Sequence, residues 1–291
     1  MSAAENAAAK RVAFDLNRNW PTVALLATLV AVYTPVIAEV AQVWAGDDNT
    51  SYGALVPFMA GLLVWWKRQE IAALLPARPW IGGFAPLLVG LLLEILAWYT
   101  RIRMFAMLSL APVLLGLTLL LGGKRITRLL LFPILFLGFA APLPHWLIQP
   151  ISVPIQTISA RAASWSAEQL GVSLVATGFT VSLANGTSVE VAEECSGFKK
   201  TLTVTVMAIF YASLFAVPFW KQGALVLLAG PLAVLANIVR VTALILVGSE
   251  WGIGGVHAVH GMADPLVVVL CFMLLYGAGK ALGCRKIRYT V

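Results

Sequence analysis

Eight apolar segments divide this chain, at about 21–44, 52–66, 81–99, 104–123, 127–147, 198–219, 222–247 and 265–283. Most of them reach the roughly 20 residues that a helix needs to cross the hydrocarbon core of a bilayer. The rest of the composition agrees: of 291 residues, 60% are hydrophobic and only 11% charged, where a soluble globular protein carries about 25% charged residues. The expected fold class is therefore an all-α polytopic membrane protein with about eight transmembrane helices, in a single integral domain over 1–291. The second segment is short and ends in "VWWKR", a tryptophan pair at headgroup depth followed by a basic anchor. The opening "MSAAENAAAKRVAFDLNRNW" lacks the pattern of a removable signal peptide, so the first apolar run is expected to stay as a span.

The basic residues set an orientation. With residues 1–20 in the cytoplasm, the inner segments hold Lys10, Arg11, Arg18, Lys67, Arg68, Arg78, Lys124, Arg125, Arg128, Lys221, Lys280, Arg285, Lys286 and Arg288, which is 14 of 20. Arg101, Arg103, Arg161, Lys199, Lys200 and Arg240 fall on the outer side or within a span. This asymmetry predicts both termini inside, with 284–291 a basic cytoplasmic tail. It also accounts for the net charge of +7 without a nucleic-acid partner. Lipid is expected around every span.

Residues 148–197 then form an extracytoplasmic insert. It follows "APLPHW", read as an interfacial turn containing His145. Periodicity over 150–170 predicts an amphipathic helix on the membrane surface. "FTVSLANGTSVEV" predicts a β-hairpin about Ala184-Asn185-Gly186-Thr187, with Asn-Gly as a two-residue turn. Asn185-Gly-Thr is also a glycosylation sequon, but the turn explains both residues without it. The hairpin leads directly into "VAEECSGFKK".

Of three cysteines, Cys271 and Cys284 lie in or just past the last apolar run and read as packing residues. Cys195 differs, because it stands in a charged, turn-like setting at the outer mouth of the sixth span. A helix N-terminus and the nearby Lys199 and Lys200 favour its thiolate, while Glu193 and Glu194 oppose it. Arg240, in "LANIVRVTALILVG", is expected about seven residues, or roughly 10 Å, below the outer end of the seventh span. A cation so placed has a partner or a task, and Asn237 shares its helical face. "EWGIGGVHAVHGMADP" reads as the outer loop before the eighth span and supplies His257 and His260. A thiol, a guanidinium and imidazoles on one side of the bilayer form a set suited to acyl transfer. Cys195 would attack a carbonyl, a histidine would shuttle the proton, and Arg240 would stabilise thiolate or oxyanion. Ser196, Glu194 and Asn237 are candidates for substrate contacts.

These residues resemble the exosortase/archaeosortase family of membrane-embedded cysteine transpeptidases. "NTSYGALVPFMAGLLVWWKR" is similar to the family's second span, and "GVSLVATGFTVSL" with "VAEECSGFKK" to its hairpin and Cys-Ser-Gly signature. "NIVRV" matches an Asn-x-x-Arg element and "HAVHG" a His-x-x-x-Gly element, so the likeness extends from about residue 50 to 280. The resemblance implies Cys195 as nucleophile, Arg240 as the family's arginine and His257, counted back from Gly261, as its histidine; His260 is the alternative. It further implies exported protein substrates that carry a short C-terminal motif (Pro-Glu-Pro in the best-known version), a hydrophobic helix and a basic tail. Such substrates are cut through an acyl-enzyme and passed to a surface acceptor. No cofactor or metal is expected.

Two other classes compete. His257-x-x-His260 with Cys195 or Glu194 could bind zinc in a membrane hydrolase, although no HExxH is present. A transporter without covalent chemistry would use Arg240, Glu94 and Glu39 as pathway charges.

Overall fold

The computed structural model describes residues 16–46, 51–190, 198–284 and 286, with the side chains of 16–26, 190, 199 and 260–265 outside the description. All eight apolar segments fall mainly on helix, although 127–147 includes the non-helical residues 141–144 and 198–219 the non-helical residues 214–218. Helix α1 spans Leu16–Gly46. A 3-10 turn at Ser51–Ala54 opens α2, Leu55–Trp66, and the short α3, Arg68–Ala73, follows. Another 3-10 turn leads into α4, Phe84–Thr100, and α5 is Arg103–Phe136. Helix α6 is His145–Gln169, α7 is Phe198–Ser213, and α8 is Phe219–Ala281.

Span lengths differ from the sequence expectation. By length and composition, four helical stretches suffice to cross a membrane: Ala27–Gly46, Ile81–Thr100, Arg103–Ala140 and Phe219–Val259. Ser51–Trp66, Lys200–Ser213 and Leu266–Ala281 are apolar but shorter. Segments expected as separate spans are joined in two places. In α5 the join is at Gly123 (φ 67°, ψ −178°) and in α8 at Gly252 (φ 63°, ψ −163°), where the helical path breaks without a loop. Positive φ is open to glycine at little cost, so the chain reverses in one residue.

What is exposed argues for lipid as the surrounding medium. Phe84, Leu88, Leu92, Ile95 and Trp98 form an exposed apolar face along α4, a patch that water would disfavour. Helix α6 is organised the same way. Its buried stripe is Ser152, Gln156, Ser159, Ala160, Ala163, Ser164 and Ala167, while Trp146, Ile151, Ile158 and Trp165 face outward. The predicted surface helix thus begins at His145, five residues early, and gives its small polar side to the protein.

Among the described residues four buried clusters hold these elements together, the smallest being Tyr33 of α1 with Val113 and Leu117 of α5. Val40, Tyr52, Val56, Met107, Phe136 and Val206 join α1, α2, α5 and α7. Val204, Ala208 and Tyr211 of α7 pack on Leu225, Ala229, Ala233, Cys271 and Leu275 of α8. The remaining cluster seats a small sheet on α8 and α6, and it frames the site.

Candidate functional site

The sheet has three antiparallel strands in the order β1 (Leu174–Thr177), β2 (Thr180–Leu183), β3 (Ser188–Glu190). The predicted hairpin is β2–β3, with Val181 opposite Val189; β1 was not anticipated. Its turn is longer than the two residues expected. Gly186 N–H donates to the Leu183 carbonyl at 3.0 Å, and Leu183 N–H to the Thr187 carbonyl at 2.8 Å. Among residues 184–187 only Gly186 has positive φ (83°), so the loop is the three-residue kind with a glycine bulge. A type I′ turn would need positive φ at Asn185 as well.

That frees Asn185 for another task. Its amide donates to the carbonyls of Gly248 at 2.8 Å and Ser249 at 3.1 Å, in the last turn of α8 before the break. These are the carbonyls a helix end leaves without an intrahelical donor. Thr187 sits over the break itself, its Oγ1 3.7 Å from where a Cβ on Gly252 would lie. Val181, Leu183 and Val189 then bury against Val241, Leu244, Ile245 and Val256, with Ala160, Ala163 and Ala167 of α6 closing the cluster. The sheet is therefore bonded and packed to the helix that carries Arg240.

Arg240 is buried at 3% exposure and Asn237, one turn earlier, at 0%. The limb continues to Trp251, so Arg240 lies 11 residues, or roughly 16 Å, from its end. This is deeper than the sequence suggested. Lys200 is buried too, at 4%, and its Nζ donates to Asn237 Oδ1 at 3.5 Å. The sequence reading took Lys200 only as a charge near Cys195. A signal for its burial exists: Lys200, Val204, Ala208 and Ala212 recur every four residues on the inward face of α7. Beside Arg240 a cavity of about 320 Å³ opens between the limbs of α8, lined by Ala236, Val239, Ala243, Val259 and Leu266 among other apolar residues.

The expected outer loop of 250–265 is helix apart from the break at Gly252. His257 lies on this second limb and is exposed, while its neighbour Val256 is buried. His260 lies one turn further along the same limb, its side chain outside the described residues. Cys195, Ser196 and Glu194 also lie outside the described residues, as do Glu193 and Gly197. Among the described residues, no group of three His, Cys, Asp or Glu side chains could hold a metal ion. The structure thus brings together Arg240, Asn237, Lys200 and the sheet.

The sequence profile of transmembrane exosortases matches residues 44–277, most of the chain. The chain belongs to the transmembrane exosortase family. Neither curated proteins nor solved structures give a match. The matched region begins inside α1 and ends inside the last limb of α8, so it takes in the sheet, Cys195, Arg240 and both histidines of α8. The exosortase family is associated with cysteine transpeptidase activity, and its membrane character agrees with the apolar helices described above.

Glu94 and Glu39, the acids considered as pathway charges, have local partners in this exosortase. Glu94 Oε2 accepts from Ser109 Oγ at 2.8 Å, and Ser109 Oγ lies 2.7 Å from Tyr33 Oη. Ser109 Oγ also lies 2.7 Å from the Ala106 carbonyl, so its single proton has two acceptors, that oxygen and the Glu94 carboxylate. Glu39 pairs with Arg103 at 3.3 Å. These contacts give both acids a structural role in holding α1, α4 and α5 together.

Proposed function

We propose that this exosortase is a cysteine endopeptidase and transpeptidase of the bacterial inner membrane, with its site on the extracytoplasmic side. Its substrates are exported proteins whose C-terminal signal combines a short motif, a hydrophobic helix and a basic tail. Cys195 is the nucleophile, Arg240 the electrostatic partner, and His257 the acid–base group by the family resemblance.

One observation carries this reading. In the sequence, Cys195 falls between two residues that are anchored on α8, Val189 and Lys200. On one side Val189 shares a buried cluster with Val241, Leu244 and Ile245; on the other Lys200 bonds Asn237. These anchors bracket Arg240 in the sequence of α8.

The chemistry follows from the residue types. The Cys195 thiolate adds to the scissile carbonyl, and the C–O π pair moves onto oxygen. Arg240 offers a planar fork of donors to that oxyanion, in a buried setting where the interaction is stronger than in water. Collapse breaks the C–N bond; the histidine gives its proton to the leaving amine, and a thioester remains. An acceptor O–H or N–H, having lost its proton to the same histidine, then attacks the thioester and releases Cys195. The apolar cavity beside Arg240 has room for an apolar side chain of the signal's hydrophobic helix, which would approach from the lipid side past exposed Val239 and Leu266.

Co-expression with a secreted reporter bearing such a signal tests the proposal. Wild type should yield a shortened reporter, and Cys195→Ala should insert normally but accumulate the full-length form. Processing at the normal rate by Cys195→Ala would reject the nucleophile. The mass of the new reporter C-terminus separates hydrolysis from transfer.

A further inference from the structure

At the other end of the helices from the sheet, a cavity of about 500 Å³ lies between the loop after α3 and the break in α5. Arg78, Lys124 and Arg125 line it together with Pro76, Pro79 and Trp80, and no acid is among its lining residues. Three cations gathered without a carboxylate repel one another, and an anion between them relieves that repulsion.

The cavity is built by specific contacts. Trp80 N–H donates to the Leu119 carbonyl at 3.0 Å, which ties the loop to the helix just before the break. Gly123, with φ 67°, lets the Arg78 carbonyl approach so closely that a Cβ there would collide with it. The Lys124 ammonium rests 4.0 Å from the centre of the Trp80 ring, a cation–π contact that fixes its direction. The second limb of α5 starts at Lys124, and the first turn of a helix favours negative charge. Trp80 itself is of the type that settles at headgroup depth.

We infer that this cavity binds the phosphate of an anionic phospholipid, with Arg78, Lys124 and Arg125 as its ligands. Basic pockets between membrane helices at the inner face suit such headgroups. The site is separate from the one proposed for peptide chemistry and does not depend on that reading. A free phosphate offers the same oxygen atoms without the acyl chains, so the test must distinguish the two.

The full chain, purified in a neutral detergent, should be titrated with phosphatidylglycerol, with phosphatidylcholine of the same acyl chains, and with inorganic phosphate. Binding is read by native mass spectrometry and by the midpoint of thermal unfolding. Expected is saturable binding of phosphatidylglycerol that exceeds phosphatidylcholine, weakened about fivefold by Arg78→Gln and again by Arg125→Gln. Arg68→Gln, which removes a cation stacked on Trp65 outside this cavity, should leave the preference intact. Inorganic phosphate at equal concentration should neither bind nor compete. Equal affinity for the two lipids, equal loss in Arg68→Gln, or binding of inorganic phosphate as tight as the lipid would each overturn the assignment. Because the readout is a ratio between lipids, a general loss of stability cannot mimic it.

Discussion

Asn185, at the tip of the sheet, is bonded to the carbonyl of Gly248, 63 residues further on, at 2.8 Å. This contact joins the strand pair that leads to Cys195 with the end of the helix that carries Arg240. Because the same amide also reaches Ser249, the side chain acts as a helix cap supplied from outside the helix.

Replacing Asn185 by Ala should therefore loosen the site while leaving membrane insertion unchanged. Loss of the bonds costs about 1–2 kcal/mol in denaturant or thermal stability, and misplacement of the following segment should slow reporter processing by about tenfold or more. Asn185→Asp is the sharper test. A carboxylate cannot donate to carbonyls, so it should behave like Ala. An Asp variant with wild-type processing would show that the amide bonds are dispensable.

The Lys200–Asn237 contact makes a second prediction. Both side chains are buried, and hydrogen bonds to a charged group contribute about 1.5–3 kcal/mol. Lys200→Met and Asn237→Leu should each destabilise the protein by an amount in that range. The double variant should lose less than the sum, because neither partner is left behind. Strict additivity in a double-mutant cycle would mean that the 3.5 Å contact carries no coupling.

The cysteines should react unequally. Cys271 is buried at 0% and Cys284 at 5%. Burial pushes the Cys284 thiol up from its ordinary value, against a smaller downward pull from Lys221. A raised value leaves less thiolate at neutral pH, and reactivity grows only as pH climbs towards it. Brief maleimide labelling of the folded protein at neutral pH should then modify Cys195 alone, as read by peptide mass spectrometry. Cys195→Ala should abolish the label, and labelling of Cys284 should rise as the pH is raised. A label on Cys284 equal to that on Cys195 at neutral pH would contradict this ordering.

Much of this was legible in the sequence because lipid imposes strong rules. The apolar segments had to be helical, and the alternation around Asn185-Gly186 had to be a hairpin. The shared face of Asn237 and Arg240 follows from spacing alone. The missed features have local causes. Glycines at 252, 254 and 255 read as a loop, but only Gly252 breaks the helix. A Cβ on Gly255 would meet Trp251 and Val247, so that glycine reflects tight packing within helix. Lys200 is masked by its neighbour Lys199, since a lysine pair just after Cys195 reads as charge beside the thiol, whereas only the four-residue recurrence with Val204, Ala208 and Ala212 marks one of the two as buried. The cap made by Asn185 depends on a contact across 63 residues, which no local pattern encodes.

Arg240→Lys should be nearly as damaging as Arg240→Ala. An ammonium keeps the charge but loses the planar fork that meets an oxyanion through two donors. Removing a donor of this kind costs about 100- to 1,000-fold in turnover, so both variants should accumulate unprocessed reporter at normal expression. Processing by Arg240→Lys within about threefold of wild type would reduce Arg240 to a point charge or an anchor.

The two histidines of α8 can be separated by the same reporter. His257 matches the family element by its distance from Gly261, yet its side chain is exposed and next to buried Val256. An acid–base group contributes about 100- to 10,000-fold, whereas a histidine that only packs contributes far less to turnover. His257→Ala and His260→Ala should therefore differ by at least about tenfold in processing, with the severe one marking the proton carrier. His257→Ala as the severe variant supports the assignment made from the resemblance, and His260→Ala as the severe one transfers the role along the helix by one turn. Equal, mild losses in both would remove histidine from the chemistry and with it the proton path drawn above.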